Sequence, residues 1–350
     1  MSGEPERVLI ALSGGVDSST SAWMLKRDGY QLVGVTLFFH DSERTQAKIA
    51  QARHVAELLG IEHHVLDMRE RFEQEVERAY IADVDRGVRA NPCIRCSSKL
   101  KIPALLEQAD LYGCSRVATG HYANVTHDGF GVGLLPRQLR SGADRSKDQT
   151  FLLYRLSQEQ LARLMFPLAP STKGVVRRTA MQAGLQRLSP LNDGQGIPCF
   201  FDDLSAEEWI AAHDGKACAE GPIIDISSGV QVGTHQGLFR YAPGQKLPGG
   251  GYVVSCDWER NVLFAGPRAY GARESVVLTD VHWTSIEPPS RRRSCRARIG
   301  YDANLVPAHV LCTEEGVVVA FTTPVLGLYA GLDVVLYSDD LVLGGGIVVR

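Results

Sequence analysis

Hydrophobic positions in the first third of the chain alternate between unbroken runs and helical spacing. Val8-Leu9-Ile10-Ala11-Leu12 and residues 32–39 (Leu-Val-Gly-Val-Thr-Leu-Phe-Phe) are apolar runs of the kind buried on both faces of a parallel sheet. Between them, residues 18–28 predict an amphipathic helix with Ala22, Trp23 and Leu25 inward, ending near Gly29. Residues 45–60 predict a second helix, with Ile49, Ala52, Val55, Ala56 and Leu59 inward and Gly60 as its stop. A strand over 61–66, helices over 68–86 and 99–113, and a strand at Arg116-Val117-Ala118-Thr119 continue the rhythm. Such alternation predicts a parallel sheet wrapped by helices, with ligands beyond the carboxyl ends of its strands. Residues 13–19, 37–40 and 120–122 each follow a strand, so they are expected to converge on one pocket.

The pattern changes after about residue 150. Residues 151–165 and 171–184 predict helices, the second basic through Lys173, Arg177 and Arg178. Short strands with glycine turns follow from about residue 220, at residues 222–224, 252–254 and 262–264. A further set from about residue 275 includes residues 317–321, 333–337 and 346–349. The fold class expected is α/β, a parallel-sheet domain followed by a small β-rich domain and a C-terminal β-barrel. The expected boundaries are 1–205, 206–272 and 273–350.

Composition changes this picture little. The 350 residues are 44% hydrophobic and 22% charged, ordinary for a globular chain with substantial cores. A formal charge of −3 does not advertise nucleic-acid binding, so RNA contact has to come from local basic patches such as Arg291-Arg292-Arg293 with Arg296 and Arg298. The same run reads equally as a solvated strand edge that deters aggregation. No apolar run approaches the length of a membrane span, and the polar start lacks a secretory signal, so the expected location is cytoplasmic, without membrane contact. There, eight cysteines argue for catalysis or metal binding rather than a disulfide framework.

Chemistry concentrates in three loops. Ser13-Gly14-Gly15-Val16-Asp17-Ser18-Ser19 lies between the first strand and the first helix. Its glycines let backbone approach an anion, its serines offer hydroxyls, and the helix start offers unpaired N–H groups. It lacks the lysine of a Walker loop and resembles the pyrophosphatase loop (PP-loop) of enzymes that split ATP to AMP and pyrophosphate. Asp17 suits a Mg²⁺ partner. Asn91-Pro92-Cys93-Ile94-Arg95-Cys96 sets two thiols on one arc, which suits redox exchange as a dithiol or chelation as a zinc half-site, or is incidental. Cys199 sits in a third, glycine-rich loop ahead of Phe200-Phe201. Cys114, Cys218, Cys256, Cys295 and Cys312 read as small hydrophobes.

These motifs, with Ala118-Thr119-Gly120-His121-Tyr122, Lys147-Asp148-Gln149-Thr150-Phe151 and the terminal Leu343-Gly344-Gly345-Gly346, give the chain a resemblance to the tRNA-specific 2-thiouridylase family along nearly its whole length. The resemblance implies an adenine-nucleotide α-hydrolase-like PP-loop domain. It implies an ATP-dependent enzyme that adenylates the C2 oxygen of uridine 34 in tRNA and replaces it with sulfur. Implied nucleotide contacts are Ala11, Leu12, Ser13, Gly14, Gly15, Val16, Asp17, Ser18, Leu37 and Gly120. Implied tRNA contacts are Asn91, Pro92, Cys93, His121, Lys147, Asp148, Gln149, Gly300 and Tyr301. Cys96 and Cys199 are the implied sulfur-handling residues, and the sulfur donor is sulfide or a persulfide carrier.

This chain departs from the family pattern in several places. Cys93 stands where many members carry Asp, and the resulting trio of Cys93, Cys96 and Cys199 resembles the three-cysteine variant thought to hold a [4Fe–4S] cluster. A persulfide–disulfide route through Cys199 and Cys96, and a zinc site, stay open. Gly300 and Leu332 replace an Arg and a Gln of the family. An amidotransferase-type PP-loop enzyme leaves the three cysteines unexplained, and a non-catalytic RNA-binding relative predicts a broken phosphate loop.

Overall fold

Five strands of the first half pair in parallel in the order β3-β2-β1-β4-β7: β1 Arg7–Ala11, β2 Gln31–Phe38, β3 Glu62–Asp67, β4 Arg116–Ala118 and β7 Leu164–Met165. The computed structural model describes residues 5–127, 129, 131–185, 201, 204–213, 217–301 and 303–349. Helices cover both faces of the sheet, which is why Val8, Leu9 and Ile10 in succession are fully buried. Val8, Ile10 and Leu12 pack against α1 (Val16–Arg27) and α2 (Glu43–Leu59), with Ala22, Leu25, Ala52 and Val55. Leu9, Val33 and Val35 pack on the other face, against the helix Ile102–Leu111. The five inward positions expected in α2 are all buried, Ser42 caps its start, and Gly60 closes it in the left-handed region at φ 58°.

The helix expected over 68–86 runs as Arg69–Phe72, a π-helical stretch Glu73–Glu77, and Arg78–Asp85. The one expected over 99–113 begins earlier, at Pro92, and passes through a second π stretch, Cys96–Lys101, into Ile102–Leu111. The helix expected over 151–165 does not form. That segment is a 3₁₀ turn Thr150–Leu152, a short helix Gln158–Ala162 with a capping box from Ser157, and strand β7. Phe151, Leu153, Tyr154 and Leu156 are all fully buried, a run with no polar face to present to water as a surface helix would.

Six antiparallel strands close into a barrel in the order β12-β15-β14-β13-β16-β17: β12 Arg273–Trp283, β13 Arg293–Ile299, β14 Leu305–Thr313, β15 Gly316–Val325, β16 Asp333–Ser338 and β17 Leu341–Val348. Pairing of β12 with β17, Leu278 opposite Val348, completes the closure. The pattern reading missed a hairpin, β5 Asn124–His127 with β6 Arg137–Arg140, which joins the outside of β17 at Leu341 opposite Arg140. Its polar sequence gave no strand signal. The small β-rich region is a four-stranded sheet, order β10-β11-β8-β9: β8 Glu220–Asp225, β9 Gln231–Gln236, β10 Tyr252–Asp257 and β11 Val262–Gly266. Among the described residues no helix is long and apolar enough to cross a membrane.

Candidate active site

The phosphate-loop geometry follows from its small residues. Gly14 adopts φ 74°, and a Cβ there would collide with the Lys48 carbonyl oxygen. Gly15 is the N-cap of α1, and its carbonyl accepts the Ser18 and Ser19 hydroxyls at 3.1 and 2.8 Å. The Ser13 amide donates to Ser18 Oγ at 3.2 Å. Gly120 presses on the start of α1, where a Cβ would lie 2.8 Å from the Ser18 nitrogen. A cavity of about 340 Å³ opens beside this loop. Of the expected nucleotide contacts, Ala11, Leu12, Ser13, Asp17, Ser18, Leu37 and Gly120 line it, while Gly14, Gly15 and Val16 form the turn next to it. His121 and Gln149, expected on the tRNA side, line the same cavity.

Three lysines bear on this cavity that sequence reasoning did not assign to it. Lys48 and Lys101 line it. Lys173, part of the basic helix expected over 171–184, is buried and holds both Asp17 carboxylate oxygens at 2.8 and 2.7 Å. The Tyr122 hydroxyl donates to Asp17 at 2.8 Å, and its own ionisation is pushed up by burial and by the Asp17 charge. With both oxygens engaged, Asp17 would offer a magnesium ion a carboxylate already neutralised by an ammonium. One signal was available: a lysine at the first position of a helix opposes the macrodipole and calls for a local counter-charge. His121 accepts or donates at Thr119 Oγ1, 2.8 Å away; burial, with Lys101 nearby, pushes its imidazole down to about 3.

The Asn91–Cys96 segment is a helix start. Asn91 caps it, its side-chain oxygen accepting the Cys93 amide at 3.0 Å, and Pro92 occupies the first turn. Cys93 and Cys96 are three apart, hence on one face of that turn. Cys96 is buried in a cluster with Met68, Phe72, Leu100 and Phe201, while Cys93 is half-buried. Leu37 and Phe39, which line the cavity beside the Gly14 loop, pack on that same cluster. Cys199 lies outside the described residues. Cys256 and Cys295 are pushed up to about 11 by burial, which makes them poor nucleophiles.

The remaining expected contacts gather on the barrel side. Gln149 pairs with Tyr122 in both directions, its side-chain oxygen accepting the Tyr122 amide at 3.0 Å. Asp148 is buried and accepts from Thr150 and from Arg298, at 2.8 and 3.1 Å. The Arg298 guanidinium lies 5.7 Å from the Phe151 ring and 5.4 Å from the Tyr301 ring, so it joins the Lys147–Gln149 turn to the Gly300–Tyr301 loop. Leu332 is buried in the barrel core.

Fold and site together define a PP-loop, HUP-like α/β domain joined to a β-barrel. Residues 6–203 match the family described as tRNA methyl transferase HUP domain, and residues 273–348 match the aminomethyltransferase β-barrel domain. The tRNA-specific 2-thiouridylase MnmA of Syntrophotalea carbinolica is 35% identical over 97% of this chain and 98% of its own. That of Heliobacterium modesticaldum is 34% identical over 99% of this chain and 93% of its own. The chain belongs to the tRNA-specific 2-thiouridylase family, a family of enzymes. Among solved structures, the U34-tRNA thiolase NcsA from Methanococcus maripaludis with its [4Fe–4S] cluster is 17% identical over 60% of this chain and 64% of its own, with a TM-score of 0.35, too loose a superposition to carry over its cluster.

Proposed function

We propose that this protein uses ATP to activate the C2 oxygen of uridine 34 in tRNA and replaces that oxygen with sulfur. The observation that carries the reading is adjacency. The nucleotide cavity and the Cys96 cluster share Leu37 and Phe39 as a common wall, and Lys101, at the end of the π stretch that Cys96 begins, faces the cavity. Phe201 packs in the same cluster as Cys96, Phe72 and Leu100.

In this reading the uracil C2 oxygen attacks the α-phosphorus of ATP, and pyrophosphate leaves. Loop amides and Lys48 and Lys101 take up its charge, while Lys173 balances Asp17. A sulfur nucleophile then adds to C2, the C2–O bond breaks, and AMP departs with the oxygen. His121, held neutral, hydrogen-bonds near the base without supplying a proton from a cationic form. The family resemblance assigns Asn91, Pro92 and Cys93 to the target base and Lys147, Asp148, Gln149, Gly300 and Tyr301 to the tRNA; Asp148, buried and held by Thr150 and Arg298, does so by shaping its turn. Cys93, Cys96 and Cys199 are three soft donors from two segments, a set that fits an iron–sulfur cluster. When bound, such a cluster supplies an open iron position for hydrosulfide. The three expected domain boundaries follow the same reading.

The test is ATP- and sulfide-dependent formation of 2-thiouridine in tRNA by anaerobically purified protein, with iron assayed in parallel. Activity with iron that is lost in Cys93→Ala supports the cluster. Activity without iron that requires a persulfide donor in place of sulfide, with a thiol reductant to reopen the disulfide left behind, replaces it with the persulfide route, and absence of 2-thiouridine with either donor overturns the reading.

A further inference from the structure

Asp333 opens barrel strand β16 and is buried at the seam between the barrel and the nucleotide domain. Taking a carboxylate out of water is costly unless hydrogen bonds replace its hydration. Its partners form a single line. Arg155 pairs with Asp280 of β12 at 2.9 Å and donates Nε to the Tyr154 hydroxyl at 2.8 Å. That hydroxyl donates to Asp333 Oδ1 at 2.7 Å. The Asn91 amide donates to Asp333 Oδ2 at 3.4 Å, and Asn91 Oδ1 in turn accepts the Cys93 amide at 3.0 Å.

The neighbouring contacts lie along the same seam. Tyr329 faces the Arg89 guanidinium at 5.4 Å, and Gly331, at φ 83°, sits where a Cβ would collide with Val88. Barrel residues 329, 331 and 333 therefore meet the strand of chain that runs from Val88 to Asn91, directly ahead of the cysteines. The continuous helix that runs from Pro92 to Leu111 starts at the Asn91 cap, and here the cap residue is itself held from the barrel.

We propose that Asp333 is a positioning residue for sulfur transfer: by holding the Asn91 amide it fixes the cap from which Cys93 and Cys96 project. This rests on the functional reading above. The test compares hydrogen exchange and 2-thiouridine kinetics in the wild type, Asp333→Ala and Asp333→Asn. Asp333→Asn keeps an oxygen for the Asn91 amide and turns its NH₂ toward the Tyr154 hydroxyl. In Asp333→Ala, the amides of Asn91 and of residues 93–96 should exchange about tenfold faster, with amides 13–19 unchanged. Its kcat should fall about tenfold with KM for ATP within about twofold, and Asp333→Asn should restore both. Wild-type exchange at Asn91 and residues 93–96 in Asp333→Ala overturns the proposal, as does an Asp333→Asn as impaired as Asp333→Ala. Should Asp333→Ala fail to fold, unprotected amides at Asn91 and Cys93 in the wild type overturn it equally. Exchange needs no activity, so a wild type that makes no 2-thiouridine would remove the functional reading while the exchange data still decide the clamp.

Discussion

At the residue scale the informative pair is Asp17 and Lys173, 156 positions apart and in contact at 2.7 Å. Removing either partner of a mostly buried ion pair strands the other charge. Lys173→Met is expected to lower stability by about 3 kcal/mol, read by thermal melts, and to raise KM for ATP. Asp17→Asn should cut ATP-dependent pyrophosphate release about tenfold while tRNA binding by gel shift stays within about twofold. Unchanged pyrophosphate release would remove Asp17 from the nucleotide site. His121 gives a pH prediction of definite sign. Its folded-state value is depressed from 6.5 to about 3, so its contribution to stability is complete above about pH 6.5 and is lost as pH falls from there toward 3. Its imidazole NMR shifts should stay flat from about pH 5 to 8; a midpoint near the ordinary value would contradict the neutral ring.

At the scale of elements, Gly14 and the Asn91–Cys96 turn show what was legible beforehand. Gly14→Ala places a side chain at φ 74° against the Lys48 carbonyl, a strain of about 1–3 kcal/mol. Nucleotide binding by calorimetry should weaken at least as much as the melting temperature falls, because the loop must shift to relieve the clash. Unaltered ATP affinity would mean that the tight loop is not the cradle. Loops of this kind were readable because small residues, a cap and a strand–helix junction are local signals. The inward face of α2 was readable because its period is regular. The π stretches at Glu73–Glu77 and Cys96–Lys101 were not, since an extra residue per turn leaves the apolar pattern nearly helical. The failed helix over 151–165 has a different cause. Its apolar residues are buried on several sides by the barrel, a tertiary demand that local spacing does not record. Lys173 in the nucleotide site, the β5–β6 hairpin and the Asp333 line all depend on partners far along the chain.

At the scale of the whole molecule, the two matched regions are physically interleaved. The β5–β6 hairpin belongs by sequence to the nucleotide domain, yet it extends the barrel sheet through β17. Tyr337 and Val335 of β16 are buried in the same cluster as Leu9 and Val117 of the parallel sheet. Tyr154 is fully buried against Gly345, where a Cβ would lie 2.9 Å from its ring, so β17 has to be bare at that point. Arg298 crosses the seam in the other direction, from the barrel to Asp148, whose Oδ1 has no hydrogen-bond partner among the described residues. A chain ending at residue 272 would lose Arg298, Tyr337 and Asp333 together. It would leave β6 as an unpaired edge and bare the Tyr154–Leu156 segment to water. Such a chain is expected to aggregate or to melt well below the full protein, whereas the full chain should unfold its barrel and nucleotide domain in one calorimetric transition. Two separated transitions, with the truncated chain as stable as the first of them, would show that the barrel is an appendage. In that case tRNA bound on the barrel side would have no rigid route to Cys93. A single transition is what a shared seam predicts, since Asp333, buried in it, accepts the backbone amide of Asn91 directly ahead of the cysteines.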